Sequence, residues 1–232
     1  MIKRVPTGIP GFDKMVKGGF KEKSINLVCG PAGTGKSTFA IQFLVNGIIG
    51  FNENCVYITF EEERNQIISN MLQFGWDLEE LEKSGKFVLL QYAPEMVKEL
   101  VAEGGGVLDE TIEKVKGKRI VIDSISSFSL LYQNEYERKQ ACLKLFELIR
   151  RWGYTAVFTA EDELVHMENA ISTELEFEAD SMVFLYNAKT KGKRKRAIEV
   201  VKMRGTKHVR KVLGFDITEK GIVINPNDVV EV

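Results

Sequence analysis

Short apolar runs rich in β-branched residues alternate, along most of the chain, with segments of helical periodicity. We interpret six of these runs as strands, at residues 24–29, 55–60, 87–90, 119–123, 155–159 and 181–186. Three longer segments repeat their apolar residues at helical spacing, at residues 36–49, 65–74 and 135–152. This alternation is typical of β-α-β units with buried parallel strands. The pattern therefore predicts an α/β fold with a mostly parallel central sheet flanked by helices.

The last quarter of the chain follows a different pattern. Strand-like runs at residues 197–203, 211–217 and 222–224 are separated only by short turns. Short connections join antiparallel neighbours, because parallel strands need a long crossover. We therefore expect antiparallel strands at the C-terminal end of the sheet.

The composition indicates a single domain over residues 1–232. Of the 232 residues 44% are hydrophobic, which is enough to bury one core. The 32 Lys and Arg nearly balance the 33 Asp and Glu, so the net charge of −1 does not require nucleic acid or an anionic membrane as a partner. With no long apolar run and no apolar N-terminal leader, we expect a cytoplasmic protein without a membrane partner. Cys29, Cys55 and Cys142 lie far apart in apolar runs, which is typical of reduced core thiols.

The strongest motif matches G-x-x-x-x-G-K-[ST] at every position and lies between an apolar strand and a helix. Its glycines let successive backbone N–H groups point at phosphate oxygens, and the helix N-terminus adds partial positive charge. Lys36 should reach the β- and γ-phosphates, Ser37 should ligate Mg²⁺, and Thr38 can lie near the α-phosphate. The sequence thus predicts that ATP and Mg²⁺ are bound by Gly30, Pro31, Ala32, Gly33, Thr34, Gly35, Lys36, Ser37 and Thr38.

Carboxylates follow two other predicted strands. Residues 120–123 end in Asp123, which would hold Mg²⁺ through a water. Glu61 and Glu62 follow the strand at 56–60, and hydrolysis needs such a group to orient or deprotonate the attacking water. An acidic cap for the next helix is the alternative interpretation, and it fits Glu63 better than Glu61. A P-loop strand, one helix and then a strand ending in Glu is the order found in RecA-type ATPases.

Three segments resemble the KaiC family of RecA-type P-loop ATPases, and the resemblance runs nearly from end to end. Thr-Gly-Ile-Pro-Gly-Phe-Asp at 7–13, with Gly-Gly-Phe at 18–20, is similar to the segment before the family's P-loop. Ile-Thr-Phe-Glu-Glu at 58–62 is similar to its paired catalytic glutamates, of which the first is usually taken as the base. Lys-Met-Arg-Gly-Thr-Lys-His at 202–208 is similar to its C-terminal strand motif.

The resemblance implies roles for this last motif. In the family, the residues matching Lys202 and Arg204 reach the γ-phosphate held by the neighbouring subunit, which implies a homo-oligomeric ring, usually a hexamer. Two cations two residues apart on a strand also share a face, where they can neutralise a phosphoryl-transfer transition state. The resemblance further implies that Thr206, His208 and Glu219 lie near the nucleotide. For His208, a solvated loop residue is an equal alternative.

The chain differs from the clock proteins of this family, because it has one ATPase domain where they have two in tandem. It looks more like the single-domain KaiC-like ATPases of archaea and some bacteria. Clock proteins also phosphorylate themselves on a Ser-Thr pair, which Ser-Thr at 172–173 resembles, whereas aligning Ala-Asp at 179–180 puts Phe-Glu at those positions. The sequence favours a regulatory or signalling ATPase ring with an unknown protein partner. A nucleotide-gated scaffold or autokinase with little turnover is the alternative.

A recombinase paralogue in DNA repair is the alternative from another class. Recombinases share the ATPase core and hold single-stranded DNA on cationic loops. The corresponding second loop here, residues 161–180, carries eight acids and no Lys or Arg. The basic cluster from Lys189 to Arg196 is most simply a solvated hairpin tip, with nucleic acid, an acidic partner or a neighbour's acidic loop as alternatives. We therefore do not expect nucleic acid as a partner.

Overall fold

The computed structural model describes residues 2–161, 178–190 and 192–231. A small antiparallel ribbon comes first, formed by β1 (Arg4–Val5) and β2 (Phe20–Lys21), with α1 (Phe12–Met15) between them in the chain. The other strands form one large sheet. In chain order they are β3 (Ile25–Gly30), β4 (Cys55–Thr59), β5 (Phe87–Gln91), β6 (Arg119–Asp123), β7 (Thr155–Glu161), β8 (Ser181–Thr190), β9 (Lys193–Met203), β10 (Leu213–Thr218) and β11 (Gly221–Val229).

The large sheet is parallel over one part and antiparallel over the other. Its strands lie in the order β11-β10-β9-β8-β3-β7-β6-β4-β5. Neighbours from β8 to β5 are parallel, whereas β8, β9, β10 and β11 pair antiparallel in succession. The predicted strands and the change of direction in the last quarter are both present. The predicted α/β fold class is therefore confirmed.

Helices connect the parallel strands. They are α2 (Lys36–Phe51), α3 (Arg64–Leu72), α4 (Leu78–Lys83), α5 (Pro94–Ala102), α6 (Gly106–Val115), α7 (Ile125–Ser129) and α8 (Glu135–Trp152). The sequence pattern predicts α2, α3 and α8. It does not predict α4 and α7, because helices of six and five residues contain too few turns to show a clear period. The sequence interpretation also leaves out α5 and α6, which at nine and ten residues are at least as long as α3.

Each face of the sheet has its own apolar core. Successive residues of a strand point to opposite faces, so Val28 of β3 joins the cluster that contains Phe39 of α2. Its neighbour Leu27 joins the cluster that contains Phe146 of α8. The ring of Phe146 lies edge-on to Phe158 of β7, with 4.9 Å between the centroids. Helices thus cover the parallel strands on both faces, which leaves the strand ends as the accessible edges.

A buried arginine fixes the P-loop helix to the sheet. Arg119, at the start of β6, is fully buried and lies over the rings of Phe43 and Phe51 of α2. Its guanidinium donates to Glu53 at 2.6 Å and to the Phe43 carbonyl oxygen at 2.8 Å. Gly47 leaves the space, because a Cβ there would lie 2.4 Å from the Arg119 Nε. This contact sets where α2 lies relative to the strand that ends in Asp123.

The three cysteines are buried, as predicted for core thiols. Burial raises the pKa of Cys55 to about 12, with Arg119 lowering it and Glu53 raising it further. Burial likewise raises the pKa of Cys142 to about 12. In the described part of the chain, no helix combines the length and the apolar character needed to cross a bilayer.

Candidate nucleotide-binding and catalytic site

Four parallel strands bring the predicted site residues to one edge of the sheet. The register aligns Thr59 of β4 with Asp123 of β6, and Val28 of β3 with Thr159 of β7. The P-loop leaves β3 just beyond this level, and Glu61 follows β4 there. Because the carboxyl ends of parallel strands share an edge, these segments converge although they are far apart in sequence.

The P-loop has the conformation that its glycines allow. Gly35 adopts φ +100°, which L side chains rarely adopt, and α2 begins at the next residue, Lys36. Gly30 passes close to β8, where a Cβ would lie 2.2 Å from the carbonyl oxygen of Leu185. The Lys36 ammonium folds over the loop and donates to the carbonyl oxygens of Gly30 at 2.9 Å and Pro31 at 3.1 Å. This cation therefore lies at the mouth of a loop whose shape suits phosphate binding.

The other motif residues frame the loop. Ala32 and Gly33 are exposed, whereas Thr34 is buried and donates its hydroxyl hydrogen to the Pro31 carbonyl oxygen at 2.8 Å. Ser37 and Thr38 are half-buried in the first turn of α2. The Thr34 side chain thus bridges the loop, and the hydroxyls of Ser37 and Thr38 in α2 lie beside it.

Two adjoining cavities lie beside the P-loop. The first, of about 270 Å³, is lined by Gly33, Gly35, Lys36, Ser37, Thr38 and Ile217. The second, of about 530 Å³, is lined by Thr38, Gln73, Phe74, Arg196, Ile217, Thr218 and Glu219. Volumes of this size are typical of small-molecule sites. Glu219, which the resemblance assigns to the nucleotide, thus lines a cavity together with Thr38 of α2.

Asp123 is fixed by two hydroxyl groups. Tyr57 donates to its Oδ2 at 2.6 Å, and Thr159 donates to its Oδ1. Burial, together with the negative charge of Asp123, raises the pKa of Tyr57 well above its ordinary value, so the phenol stays a donor. The carboxylate is held at the edge of the sheet, and with the Ser37 hydroxyl it supplies the oxygen ligands that Mg²⁺ prefers. These two residues therefore fit a magnesium site.

The two glutamates have different surroundings. Glu61 is exposed, and its Oε1 accepts hydrogen bonds from Ser124 at 2.7 Å and from Ser127. Glu62 is half-buried and accepts from Asn70 at 3.0 Å. Burial, followed by the charge of Asp123, raises the pKa of Glu62, while the Asn70 hydrogen bond lowers it in part. Glu61 is thus the glutamate with oriented hydroxyl donors, which suits a residue that must present one oxygen to water.

We expect Glu62→Gln to raise the thermal stability of the nucleotide-free protein at neutral pH. A raised pKa means that the fold favours protonated Glu62, so this contribution to stability is lost as pH rises through the folded pKa. Because Gln is neutral throughout, the variant should melt up to roughly 2 °C higher at pH 7.5, with the difference vanishing towards about pH 4. Melting curves across this range measure it. Glu63→Gln, at an exposed neighbouring residue, is the control, and a pH-independent difference would contradict the assignment.

Lys202, near the end of β9, and Arg204, in the turn just after it, lie at the opposite edge of the sheet. Met203 pairs with Ser181, and Ser181 aligns with Asn26 near the start of β3. Lys202 donates to the Ala179 carbonyl oxygen at 2.8 Å, and the Arg204 backbone N–H donates to Asp180 at 2.8 Å. Asn26 lies four residues before Gly30, where the P-loop begins, which is about 13 Å along the strand at 3.3 Å per residue. Lys202 and Arg204 are therefore not brought together with the P-loop of their own chain.

Thr206 and His208 follow β9 and lie with these cations. The hydroxyl oxygen of Thr206 accepts a hydrogen bond from Arg4 at 2.6 Å. His208 is half-buried, and its Nδ1 lies 3.0 Å from the Val209 carbonyl oxygen. Of the residues that the resemblance assigns to the nucleotide, only Glu219 lies beside the P-loop of the same chain.

The basic cluster lies on the hairpin of β8 and β9, as predicted. Lys195 forms an ion pair with Asp228 at 2.5 Å, and Arg194 donates to the Asn187 carbonyl oxygen at 3.3 Å. Arg196 differs from the predicted solvated hairpin tip, because it is half-buried and lines the cavity with Glu219. Lys191, the Ser-Thr pair at 172–173, Phe177 and the acids between residues 162 and 177 lie outside the described residues.

Several residues that hold the site were missed by sequence reasoning. Tyr57 and Thr159 interrupt apolar strands, and buried hydroxyls need hydrogen-bond partners, so this signal was available. Ser124 and Ser127 follow Asp123 but carry no motif, and their contact with Glu61 depends on the fold. Gln73, Phe74 and Arg196 line the larger cavity from distant parts of the chain, with no pattern that links them.

Comparisons with known proteins show the family and the fold of the chain. The sequence model of a family described as "ATPase: KaiC" matches residues 5–229. A UPF0273 protein of Methanocaldococcus jannaschii is 36% identical over 244 residues, covering 99% of both chains. The crystal structure of a KaiC-like protein from Pyrococcus horikoshii superposes with a TM-score of 0.85 at 33% identity, covering 97% of this chain and 100% of that one. The predicted RecA-type fold is thereby confirmed.

Circadian clock oscillator proteins named KaiC are also similar. The protein of Prochlorococcus marinus is 35% identical over 229 residues, which is 96% of this chain and 45% of that protein. The protein of Synechococcus elongatus is 36% identical over 231 residues, which is 97% of this chain and 44% of that protein. The chain thus spans less than half the length of these clock proteins.

Proposed function

The chain belongs to the KaiC family of ATPases, and from this premise we propose that it binds ATP with Mg²⁺ and hydrolyses the ATP in a homo-oligomeric ring with a regulatory or signalling role. One observation carries the proposal. The P-loop, Asp123 and Glu61 share one edge of the sheet, whereas Lys202 and Arg204 lie at the other. A single ATPase domain of this kind has half of a nucleotide site at each edge.

The chemistry at the P-loop edge is divided among a few side chains. Lys36 attracts the phosphates, and Ser37 and Asp123 would hold Mg²⁺, which neutralises phosphate charge when bound. Glu61 accepts a proton from the attacking water through its Oε2, while Ser124 and Ser127 hold its Oε1. The bond that breaks joins the γ-phosphorus to the bridging oxygen, and ADP leaves with that oxygen.

The larger cavity suits the rest of the nucleotide. Phe74 offers an aromatic face for a base, and Arg196 and Glu219 offer charges for ribose or base polar groups. The Nε of Arg196 is shielded from solvent and is not hydrogen-bonded to any described residue. Buried donors of this kind need a partner. Because the Nε is shielded, the Arg196 side chain would have to turn towards the bound nucleotide to gain a partner there.

We propose a ring because, among the described residues, the P-loop edge of a single chain lacks the additional cations that phosphoryl transfer needs. A phosphoryl-transfer transition state needs cations near the transferred phosphate, and Lys36 is the motif cation at this edge. A neighbour that docks its Lys202 and Arg204 edge against the P-loop edge would supply two more. Such a head-to-tail contact uses two different surfaces, and repeating it closes a ring when the rotation per subunit allows. Six subunits is the number that the family resemblance implies.

We expect the specific ATPase activity to rise with protein concentration, because only assembled subunits have complete sites. Phosphate release should be measured over a dilution series, with sedimentation velocity at the same concentrations with and without Mg-ATP. Mg-ATP should shift the protein from small species to a closed ring. Activity that is constant down to concentrations where only monomers sediment would contradict the proposal.

The recombinase alternative predicts tight binding to single-stranded DNA, and we expect weak binding. On the basic hairpin, Lys195 is paired with Asp228, and Arg196 faces the nucleotide cavity, so fewer cations remain for a phosphate backbone. A titration of labelled single-stranded DNA across salt concentrations measures this. Tight binding with a steep salt slope, lost when Lys189 to Arg196 are neutralised, would favour the recombinase function.

A further inference from the structure

The ribbon of β1 and β2 lies beside the segment that carries the predicted trans-acting residues. We call residues 202–208 the interface segment. Arg4 of β1 is half-buried and donates from Nη2 to the Thr206 hydroxyl oxygen at 2.6 Å. Its Nη1 donates to the carbonyl oxygen of Gly19 at 3.1 Å and contacts the Met203 sulfur at 3.7 Å. One guanidinium therefore ties the interface segment to the ribbon.

Other contacts hold the same segment in a defined path. The chain turns at Gly205, which has φ +66°, and a Cβ there would lie 3.1 Å from the Lys21 ammonium of β2. The His208 N–H donates to the Thr206 carbonyl oxygen at 3.1 Å. One residue further on, the Val209 N–H donates to the Met15 carbonyl oxygen at 2.9 Å. Arg4 is the side chain that joins the middle of this path to the N-terminal ribbon.

The direction of the Arg4–Thr206 hydrogen bond has a chemical consequence. A guanidinium can only donate, so the Thr206 oxygen must accept, and the hydroxyl hydrogen points elsewhere. The Thr206 hydroxyl is then left as a donor for another partner, and Arg204 in the same segment is exposed. A hydrogen bond to a charged partner is short and strong, so the orientation of Thr206 is fixed before any partner arrives.

We propose that Arg4 is a positioning residue for catalysis at the neighbouring subunit. Arg4 orders the interface segment so that Lys202, Arg204 and the Thr206 hydroxyl reach the neighbour's nucleotide in one arrangement. This inference rests on the proposed function, in which the interface segment acts across the subunit contact. Preorganisation matters there, because a misplacement of about 1 Å can cost on the order of 10²-fold in rate.

The test mixes variants with impaired turnover in shared rings. Arg4→Ala should lower kcat by roughly tenfold or more, with ATP binding to its own P-loop unchanged. Turnover should recover when Arg4→Ala subunits are mixed with Glu61→Gln subunits, because some interfaces then join an intact Glu61 to an intact interface segment. Mixing Arg4→Ala with Arg204→Ala should give no recovery, since every interface segment is then defective. Lys3→Ala, at the residue before Arg4 and with an 83% exposed side chain, should behave as wild type.

Three further variants keep the test decisive if Arg4→Ala fails to fold. Thr206→Val removes the hydroxyl that accepts the hydrogen bond from Arg4. Like Arg4→Ala, it should recover turnover when mixed with Glu61→Gln but not when mixed with Arg204→Ala. Thr206→Ser keeps a hydroxyl and should restore turnover. Arg4→Lys keeps the charge but cannot reach two acceptors as a planar fork does, so its kcat should stay below wild type. Recovery in the mixture of Arg4→Ala with Arg204→Ala, or wild-type kcat in Thr206→Val, overturns the inference. If Glu61→Gln and Arg204→Ala fail to complement each other, the proposed function itself fails.

Discussion

Replacing Glu61 with Gln is expected to abolish most ATP hydrolysis while leaving ATP binding intact. Gln has the same shape and can still accept hydrogen bonds from Ser124 and Ser127, but it cannot take a proton from water. Loss of an acid-base group costs typically 10²-fold or more in turnover. Single-turnover phosphate release measures the chemical step, and titration with a fluorescent ATP analogue measures binding.

Matched variants distinguish loss of the catalytic base from loss of a nearby charge and from loss of ATP binding. Glu63→Gln removes an exposed carboxylate two residues away and should leave turnover unchanged. Lys36→Ala should lose ATP binding itself, because it removes the cation that lies over the P-loop. Equal turnover in the wild type and Glu61→Gln would exclude Glu61 as the base. If the wild type binds ATP, assembles and hardly turns over, the nucleotide-gated scaffold becomes the better description.

Mixing Glu61→Gln subunits with Arg204→Ala subunits is expected to restore turnover that neither variant has alone. The first variant keeps its interface segment and the second keeps its base. In a random ring of equal amounts, about a quarter of the interfaces join both intact halves, so about a quarter of wild-type turnover should return. The physical reason is the separation of Arg204 from its own P-loop, at opposite edges of the sheet.

Controls establish that subunits exchange into the same rings. The two variants carry different fluorophores, and energy transfer between them reports mixing before activity is measured. A mixture of Glu61→Gln with Lys202→Ala should also recover, whereas Arg204→Ala with Lys202→Ala should not. No recovery despite confirmed mixing would mean that Arg204 acts in its own subunit or outside catalysis.

The strongest sequence signals were local. The P-loop is eight consecutive residues whose glycines, cation and hydroxyl each serve phosphate chemistry, so the motif could be assigned without a fold. Asp123 and Glu61 could be added because strands that end in acids converge at one edge of a parallel sheet. The short helices α4 and α7 could not be predicted from periodicity, because each has too few turns.

The partners of these acids depend on neighbouring strands. Tyr57 and Thr159 hold Asp123 because β4 and β7 flank β6, and this order does not follow the order in the chain. Arg196 illustrates the same limit. Its sequence neighbours form a basic run, yet the register of β8 and β9 turns it into the cavity beside Glu219.

By itself, the sequence determined the α/β fold class, the family resemblance, the phosphate-binding loop and the acids at the ends of strands. These depend on the periodicity of apolar residues and on short motifs, which are properties of contiguous chain. Only the tertiary structure decided which side chains hold Asp123 and Glu61, and that Lys202 and Arg204 lie at the far edge from the P-loop. Strand order and register bring distant residues together or keep them apart, because a sheet pairs strands by packing and hydrogen bonding rather than by chain order.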